Sequence, residues 1–135
     1  MADERVMMVE LDYTIKSDRS FDEAVDAVVA AAPEYGFGVQ HVHDLQAALA
    51  KQGLQREPLK LIGLCNARHA HAVLNRDIRV ALMLPCPVAV YEQDGEVYVS
   101  TMHASMMSEM FPEAHIDDVA AEVEDALVAM VDAGG

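Results

Sequence analysis

Val88-Ala-Val-Tyr-Glu-Gln-Asp-Gly-Glu-Val-Tyr-Val-Ser-Thr-Met102 is the segment that most clearly indicates the fold class of this chain. Two runs rich in β-branched and aromatic residues flank Asp94-Gly95, and an Asp-Gly pair between such runs favours a two-residue hairpin turn. This turn pairs Val90 with Val99 across two neighbouring strands. The sequence therefore predicts a sheet that is antiparallel at this point.

Around the hairpin, segments with strand patterns alternate with segments with helix patterns. Val80–Leu84 is apolar on both faces, which predicts a buried strand, and Pro85 and Pro87 after it predict a bulge or a sheet edge. The other predicted strands cover Val6–Ile15, Phe37–His43 and Leu59–Cys65, and helices are predicted after the caps Ser20, Asp44 and Asn66 and from about Ile116.

These elements predict the fold class. Residues 1–135 are expected to form a single domain, because 135 residues are enough for one core and too few for two. The hairpin and the interleaved helices predict an α+β two-layer sandwich, with a mainly antiparallel sheet and helices on one face. A doubly wound parallel sheet is the alternative, but Gly36-Phe-Gly38 is not the glycine-rich phosphate loop that such a sheet carries.

The charge of the chain limits its partners. Nine Lys and Arg residues stand against 23 Asp and Glu residues, which gives a formal net charge of −14 at pH 7. Such a surface repels phosphate groups, so we expect no nucleic-acid partner and no anionic membrane partner. A solubilising acidic coat is the simplest explanation of the charge.

The sequence shows neither a membrane segment nor an export signal. No segment reaches the ~18 uninterrupted apolar residues of a membrane span. Met1-Ala-Asp-Glu-Arg5 carries carboxylates where a secretory peptide has a basic region. We therefore expect a cytoplasmic protein in which Cys65 and Cys86 are free thiols, although the sequence alone leaves a disulfide between them open.

Cys65 directly precedes Asn66, the predicted N-cap of a helix. Unpaired backbone N–H groups and the positive end of the helix dipole then lie close to the thiol, and this setting can stabilise a thiolate nucleophile. The alternative is that Cys65 is a small buried residue at the end of a strand. His69, on the same predicted helix, is expected to face outward.

The register of the hairpin predicts a neighbour for Cys86. When the pairing of Val90 with Val99 is continued, Cys86 lies directly opposite His103, with Cβ atoms about 5 Å apart. A thiol beside an imidazole is either a nucleophile–base pair or half of a metal site. A bulge at Pro85–Pro87 would shift the register by one residue and separate the two side chains.

A methionine-rich segment follows His103. Thioethers and imidazoles together suit a soft ion such as Cu(I), so Met106 and Met107 join His103 as candidate ligands. The same methionines could equally be core residues or residues of a dimer contact.

Several of these segments together resemble the domain-of-unknown-function family 302. The resemblance lies in Phe21-Asp-Glu-Ala-Val25, Ile62-Gly-Leu-Cys-Asn66, Leu82-Met-Leu-Pro-Cys86, Val88-Ala-Val-Tyr-Glu92 and the Met106-Met107 pair, and it extends from about Val9 to Leu127. It implies a small α+β domain, similar in architecture to TATA-binding-protein-like folds and usually homodimeric, and it implies no established activity. Pro87 stands where the family pattern has asparagine, so no amide role is carried over to that position.

Three functions are consistent with these features. The first is a homodimeric module that binds a small ligand or a soft metal ion, with candidate site residues Cys65, Asn66, Cys86, His103, Met106 and Met107, of which Cys86 and His103 are the metal ligands. The second is a thiol-dependent sulfur-transfer or redox enzyme that uses Cys65 or Cys86. The third is a structural or regulatory dimer without a site. The sequence contains no nucleophile elbow, Walker loop, zincin motif or CxxC, so it leaves open whether the protein is an enzyme and names no cofactor.

Overall fold

Five antiparallel strands form one sheet in the computed structural model, which describes residues 11–135. The strands are β1 (Asp12–Ser17), β2 (Gly38–Asp44), β3 (Leu59–Cys65), β4 (Cys86–Gln93) and β5 (Glu96–Met102), in the spatial order β1-β5-β4-β3-β2. Every neighbouring pair is antiparallel, which confirms the predicted fold class. The predicted first strand starts at Val6, and its residues 6–10 lie outside the described residues.

Helices cover one face of this sheet. They are α1 (Phe21–Ala31), α2 (Leu45–Ala50), α3 (Ala67–Arg76), α4 (Ser105–Met110) and α5 (Asp117–Ala133), with short 3₁₀ segments at Ala32–Tyr35, Ile78–Met83 and Pro112–Ala114. The capping box of Ser20 and Glu23 begins α1, and the Asp44 carboxylate caps α2, as the sequence predicted. The two longest helices, α1 and α5, pack against each other and against the sheet.

The core lies between the sheet and the helices. Side chains alternate along a strand, so one apolar set from each strand faces α1 and α5. The largest fully buried side chains are those of Val28, Ile62, Leu64, Val80, Val88, Val90, Val99, Ile116, Met130 and Val131. Leu64 and Val88 lie near the β3 and β4 ends that carry the two cysteines, so the candidate site borders the core.

The hairpin has the predicted register. Val90 pairs with Val99, and the turn residues Asp94 and Gly95 have φ angles of 55° and 81°. Positive φ at both positions belongs to the turn type whose twist matches that of the strands. The Glu57 carboxylate accepts hydrogen bonds from the N–H groups of Asp94 and Gly95, each at 3.1 Å, and so holds the turn from outside the hairpin.

The prediction of a buried strand at Val80–Leu84 is wrong. Residues Ile78–Met83 form a 3₁₀ helix in which Val80 is buried while Leu82 is 85% exposed. The segment is helical because of the residue just before it. The Asp77 carboxylate accepts a hydrogen bond from the Arg79 N–H at 2.9 Å and caps a helical turn there. An apolar run does not by itself distinguish a strand from a short helix.

The bulge or edge predicted at Pro85 and Pro87 is also wrong. β4 is the middle strand of the sheet, and its pairing with β3 continues without a shift through Pro87 to Cys86. Pro87 is the second residue of β4, where a missing backbone donor is tolerated best. Its carbonyl accepts a hydrogen bond from the Thr101 hydroxyl at 2.9 Å, which ties β4 to β5 at this end.

Candidate functional site

The two cysteines lie at the same end of neighbouring strands. Leu64 pairs with Cys86, so Cys65 is one residue beyond the direct partner of Cys86. Both are free thiols; Cys65 is half-buried and Cys86 is 9% exposed. Because side chains alternate along β3, Cys65 is directed to the sheet face opposite that of Leu64 and Cys86. The two thiols therefore leave the sheet in different directions, although both border one cavity at this end of the strands.

Two small cavities lie beside Cys86. The first, here called the helix-end cavity, is at the start of α3; its lining includes Phe37, Cys65, Asn66, His69, Cys86 and Met107. The second, the strand-end cavity, is at the end of β5; its lining includes Met83, Cys86, His103, Met107 and Leu127. Each has a volume of about 20 Å³. This is room for one particle of the size of a water molecule.

Asn66 is the N-cap of α3, as predicted. Its side-chain oxygen accepts hydrogen bonds from the N–H groups of Arg68 at 3.0 Å and His69 at 3.1 Å. These bonds satisfy two backbone donors that a helix start leaves unpaired. Asn66 therefore fixes the first turn of α3 and, with it, the position of His69.

His69 is the functional candidate that the sequence interpretation missed. The prediction that it faces outward is wrong, because its ring is only 23% exposed and packs 6.1 Å from the Phe37 ring. Nε2 lies 3.2 Å from Oε2 of Glu122 on α5. Nδ1 is buried and has no hydrogen-bond partner among residues 11–135. A signal was present, since His69 precedes the buried Val73 by four residues and so shares its helix face.

The strand-end cavity brings Cys86 and His103 to one place. Val88 pairs with Thr101, and continuing this register by two residues places Cys86 opposite His103. Both residues line the cavity. Nδ1 of His103 lies 3.4 Å from Oε1 of Glu124, which also accepts from the Ser105 N–H at 3.1 Å. A carboxylate against an imidazole fixes the orientation of the ring.

The two candidate methionines occupy different positions. Met107 is 4% exposed and lines both cavities. Met106 is half-buried on α4, and neither cavity is lined by it. Of the candidate site residues, Cys86, His103 and Met107 meet at the strand-end cavity, whereas Met106 does not join them.

Burial controls the chemistry of Cys86. Burial, and to a smaller extent the nearby Cys65 sulfur, raise the pKa of the Cys86 thiol to about 11. A thiol with this pKa is protonated at neutral pH and is a poor nucleophile. A buried thiol of this kind can act as a metal ligand if it loses its proton when the metal binds.

The donor atoms limit which metal would fit. Among residues 11–135, no three His, Cys, Asp or Glu side chains are grouped so that they could hold a metal ion. These residues therefore offer no ligand set for a hard metal ion or for zinc with four such ligands. Thiolate and thioether donors select soft ions, and the strand-end cavity offers the thiol of Cys86, the imidazole of His103 and the thioether of Met107.

Comparisons with known proteins place the chain in a family. The family model described as "Domain of unknown function DUF302" matches residues 13–134. The chain is similar to the crystal structure of an uncharacterized conserved protein DUF302 from Bacillus stearothermophilus, with 25% sequence identity and a TM-score of 0.88, covering 94% of this chain and 100% of that one. No curated protein matched. Within residues 11–135, no helix is both long and apolar enough to cross a bilayer.

Proposed function

Because the chain belongs to the DUF302 family, whose description states no activity, we propose a function from its own geometry: it is a homodimeric module that binds Cu(I) in the strand-end cavity. The observation that carries this proposal is the meeting of Cys86, His103 and Met107 around one small cavity. Thiolate, imidazole and thioether form a soft donor set, which matches a monovalent copper ion.

The size of the cavity favours an ion over an organic ligand. A volume of about 20 Å³ admits a single atom-sized particle, whereas pockets for small organic molecules span hundreds of cubic ångströms. The net charge of −14 also attracts cations to the protein surface. Both observations support a metal ion, rather than an organic molecule, as the ligand of the proposed module.

The buried thiol determines how the ion binds. Cys86 must lose its proton to ligate the metal, and because its pKa is raised to about 11, the metal competes with that proton at neutral pH. Copper affinity is therefore expected to increase with pH. Glu124, 3.4 Å from Nδ1 of His103, holds the imidazole in place for this role.

A titration of the full-length apo protein with Cu(I), in competition with bicinchoninate under anaerobic conditions, tests the proposal. We expect copper to bind, and Met107→Leu and His103→Gln each to weaken binding by at least about tenfold. Met106→Leu is the matched control, because Met106 is on the same helix and lines neither cavity. The proposal fails if the wild-type protein takes up no copper, or if Met107→Leu and Met106→Leu bind it equally well.

The sheet face opposite the helices is the proposed contact surface for a second copy of the chain. Its central residues carry no formal charge; they are Leu61, Gly63, Pro87, Ala89, Tyr91, Tyr98, Ser100 and Met102. Several of them line a shallow groove of about 170 Å³. Two chains with a charge of −14 each repel one another, so they meet most favourably through the uncharged centre of this face, with Asp12 and Glu96 at its edges.

Sedimentation equilibrium tests the dimer separately from the metal site. Ala89→Arg places a charge in the uncharged centre of this face and is expected to give a monomer. Ala47→Arg is the matched control, because Ala47 is exposed on α2 and outside this face. A wild-type monomer, or an unchanged dimer in Ala89→Arg, would contradict the proposed surface while leaving the copper result unaffected.

A further inference from the structure

The helix-end cavity has a donor set of its own. Cys86 and Met107 line it from the side that they share with the strand-end cavity, and His69 lines it from α3. His69 thus has the same relation to the helix-end cavity as His103 has to the strand-end cavity. Two imidazoles, on α3 and just after β5, flank the shared thiol of Cys86 and thioether of Met107, and the Cys65 thiol also lines the helix-end cavity.

The two histidines are held in similar ways. Glu122 lies 3.2 Å from Nε2 of His69, and Glu124 lies 3.4 Å from Nδ1 of His103. Both glutamates are on α5, which therefore presents a carboxylate to each ring. A carboxylate on one ring nitrogen selects the tautomer and increases the basicity of the other nitrogen, which is how proteins support metal-binding histidines.

His69 has a nitrogen available for a ligand in the helix-end cavity. With Nε2 donating to Glu122, the lone pair is on Nδ1, which is buried and has no hydrogen-bond partner within residues 11–135. A buried polar atom without a partner is costly unless something binds to it. A soft cation in the adjoining cavity is such a partner.

We propose that the helix-end cavity is a second Cu(I) site, formed by His69, Cys86 and Met107, and that the Cys86 sulfur bridges two copper ions. This inference rests on the proposed function, because the first ion is the one in the strand-end cavity. A thiolate sulfur has more than one lone pair and can ligate two soft ions at once. Each cavity of about 20 Å³ holds one ion.

The charges also suit two ions. The Cys86 thiolate lies between the cavities, and Glu122 and Glu124 stand behind the two imidazoles. Three negative charges near two monovalent cations offset the repulsion between those cations. Binding releases the Cys86 proton once, and the second ion then finds the thiolate already formed.

Copper stoichiometry measured by native mass spectrometry of the full chain, with Cu(I) as the probe, tests the second site. We expect two ions per wild-type chain and one ion in His69→Gln. His71→Gln is the matched control and should keep two ions, because His71 is exposed on the same helix and lines neither cavity. X-ray absorption should show a copper–copper distance in the wild type that is lost in His69→Gln.

Glu122→Gln provides a variant that leaves the imidazole in place. The affinity for the second copper ion should fall by about tenfold, and the affinity for the first should not change. A stoichiometry of one in both the wild type and His69→Gln would overturn the second site and leave the proposed function standing. Two ions in His69→Gln would also overturn it, whereas no copper in the wild type would remove the proposed function itself.

Discussion

Cys86 and Met107 both line the two small cavities beneath the sheet, so one thiol and one thioether are shared by both. Cys86 reaches this position as the first residue of the middle strand, and Met107 reaches it from α4, the short helix that follows β5. A substitution at either residue therefore changes both cavities. The two imidazoles, by contrast, each line one cavity and can be varied separately.

Ionisation of Cys86 should make the stability of the protein depend on pH in the alkaline range. Its pKa is raised from 9.0 to about 11 by burial, so the unfolded chain loses this proton before the folded one does. Stability is then fully present below pH 9 and falls as the pH rises to 11, by about 3 kcal/mol for two units of pKa. Urea unfolding of the wild type and Cys86→Ala across this range measures the difference.

The Cys86→Ala variant should lose less stability over the same interval, because it lacks the group that titrates. Cys65→Ala keeps Cys86 and should follow the wild type. Parallel stability curves for the wild type and Cys86→Ala would contradict burial of the thiol.

Removing the cap of α3 should destabilise the protein moderately. Asn66→Ala leaves the N–H groups of Arg68 and His69 without their acceptor, which costs about 1 kcal/mol of unfolding free energy. Asn66→Asp keeps an acceptor oxygen and adds a charge that suits a helix start, so it should remain close to the wild type. Chemical denaturation distinguishes the two; equal losses in both variants would mean that the cap does not stabilise the helix.

A methyl group at Gly134 should not fit. A Cβ there would lie 2.9 Å from Cγ2 of Val28 and 3.1 Å from Cγ2 of Val99, both fully buried. We expect Gly134→Ala to cost about 1–3 kcal/mol, in the range of overpacked cores. Gly38→Ala is the control, since its new methyl would make only ordinary contacts, 3.4 Å from Nε2 of Gln40 and 3.8 Å from the Cys65 carbonyl oxygen. Thermal denaturation that gives equal midpoints for the two variants would contradict this packing.

The carboxyl group of Asp118 should titrate at unusually low pH. Arg76 donates to it at 2.7 Å and lowers its pKa from 3.8 to about 2. The contribution of this pair to stability is present above about pH 4 and is lost as the pH falls towards 2. NMR titration should show the low midpoint, and Arg76→Gln should raise it towards the ordinary value. An Asp118 midpoint that is the same in Arg76→Gln would contradict the contact.

Local signals in the sequence were enough for most of the architecture. The Asp94-Gly95 turn set the register of the β4–β5 hairpin, and the caps at Ser20, Asp44 and Asn66 located three helix starts. These features depend on a few neighbouring residues, so the chain specifies them without reference to the rest of the fold. The antiparallel sheet followed from the hairpin.

Features that depend on tertiary packing were not predicted correctly. Val80–Leu84 has the composition of a buried strand, yet the space beside β4 is filled by β3 and β5, and Asp77 starts a helical turn instead. His69 is drawn inward because α5 brings Glu122 over α3. The cap at Asp77 is local, but the apolar run that follows it hid that signal. The four-residue spacing to Val73 indicated the face of His69, whereas its partner Glu122 lies far away in the chain and could not be predicted.

The placement of Cys86 in the middle strand has a consequence for how fast the proposed copper ion would be released. Core strands are among the last elements of a protein to open, so a ligand held by Cys86 exchanges mainly through movement of α4 and α5, which line the cavity with Met107 and Leu127. Copper that is bound behind α4 and α5 would leave slowly, over a time set by local opening of the helix layer rather than by the strength of the metal bonds. Such a protein would retain its ion for long periods instead of handing it on rapidly.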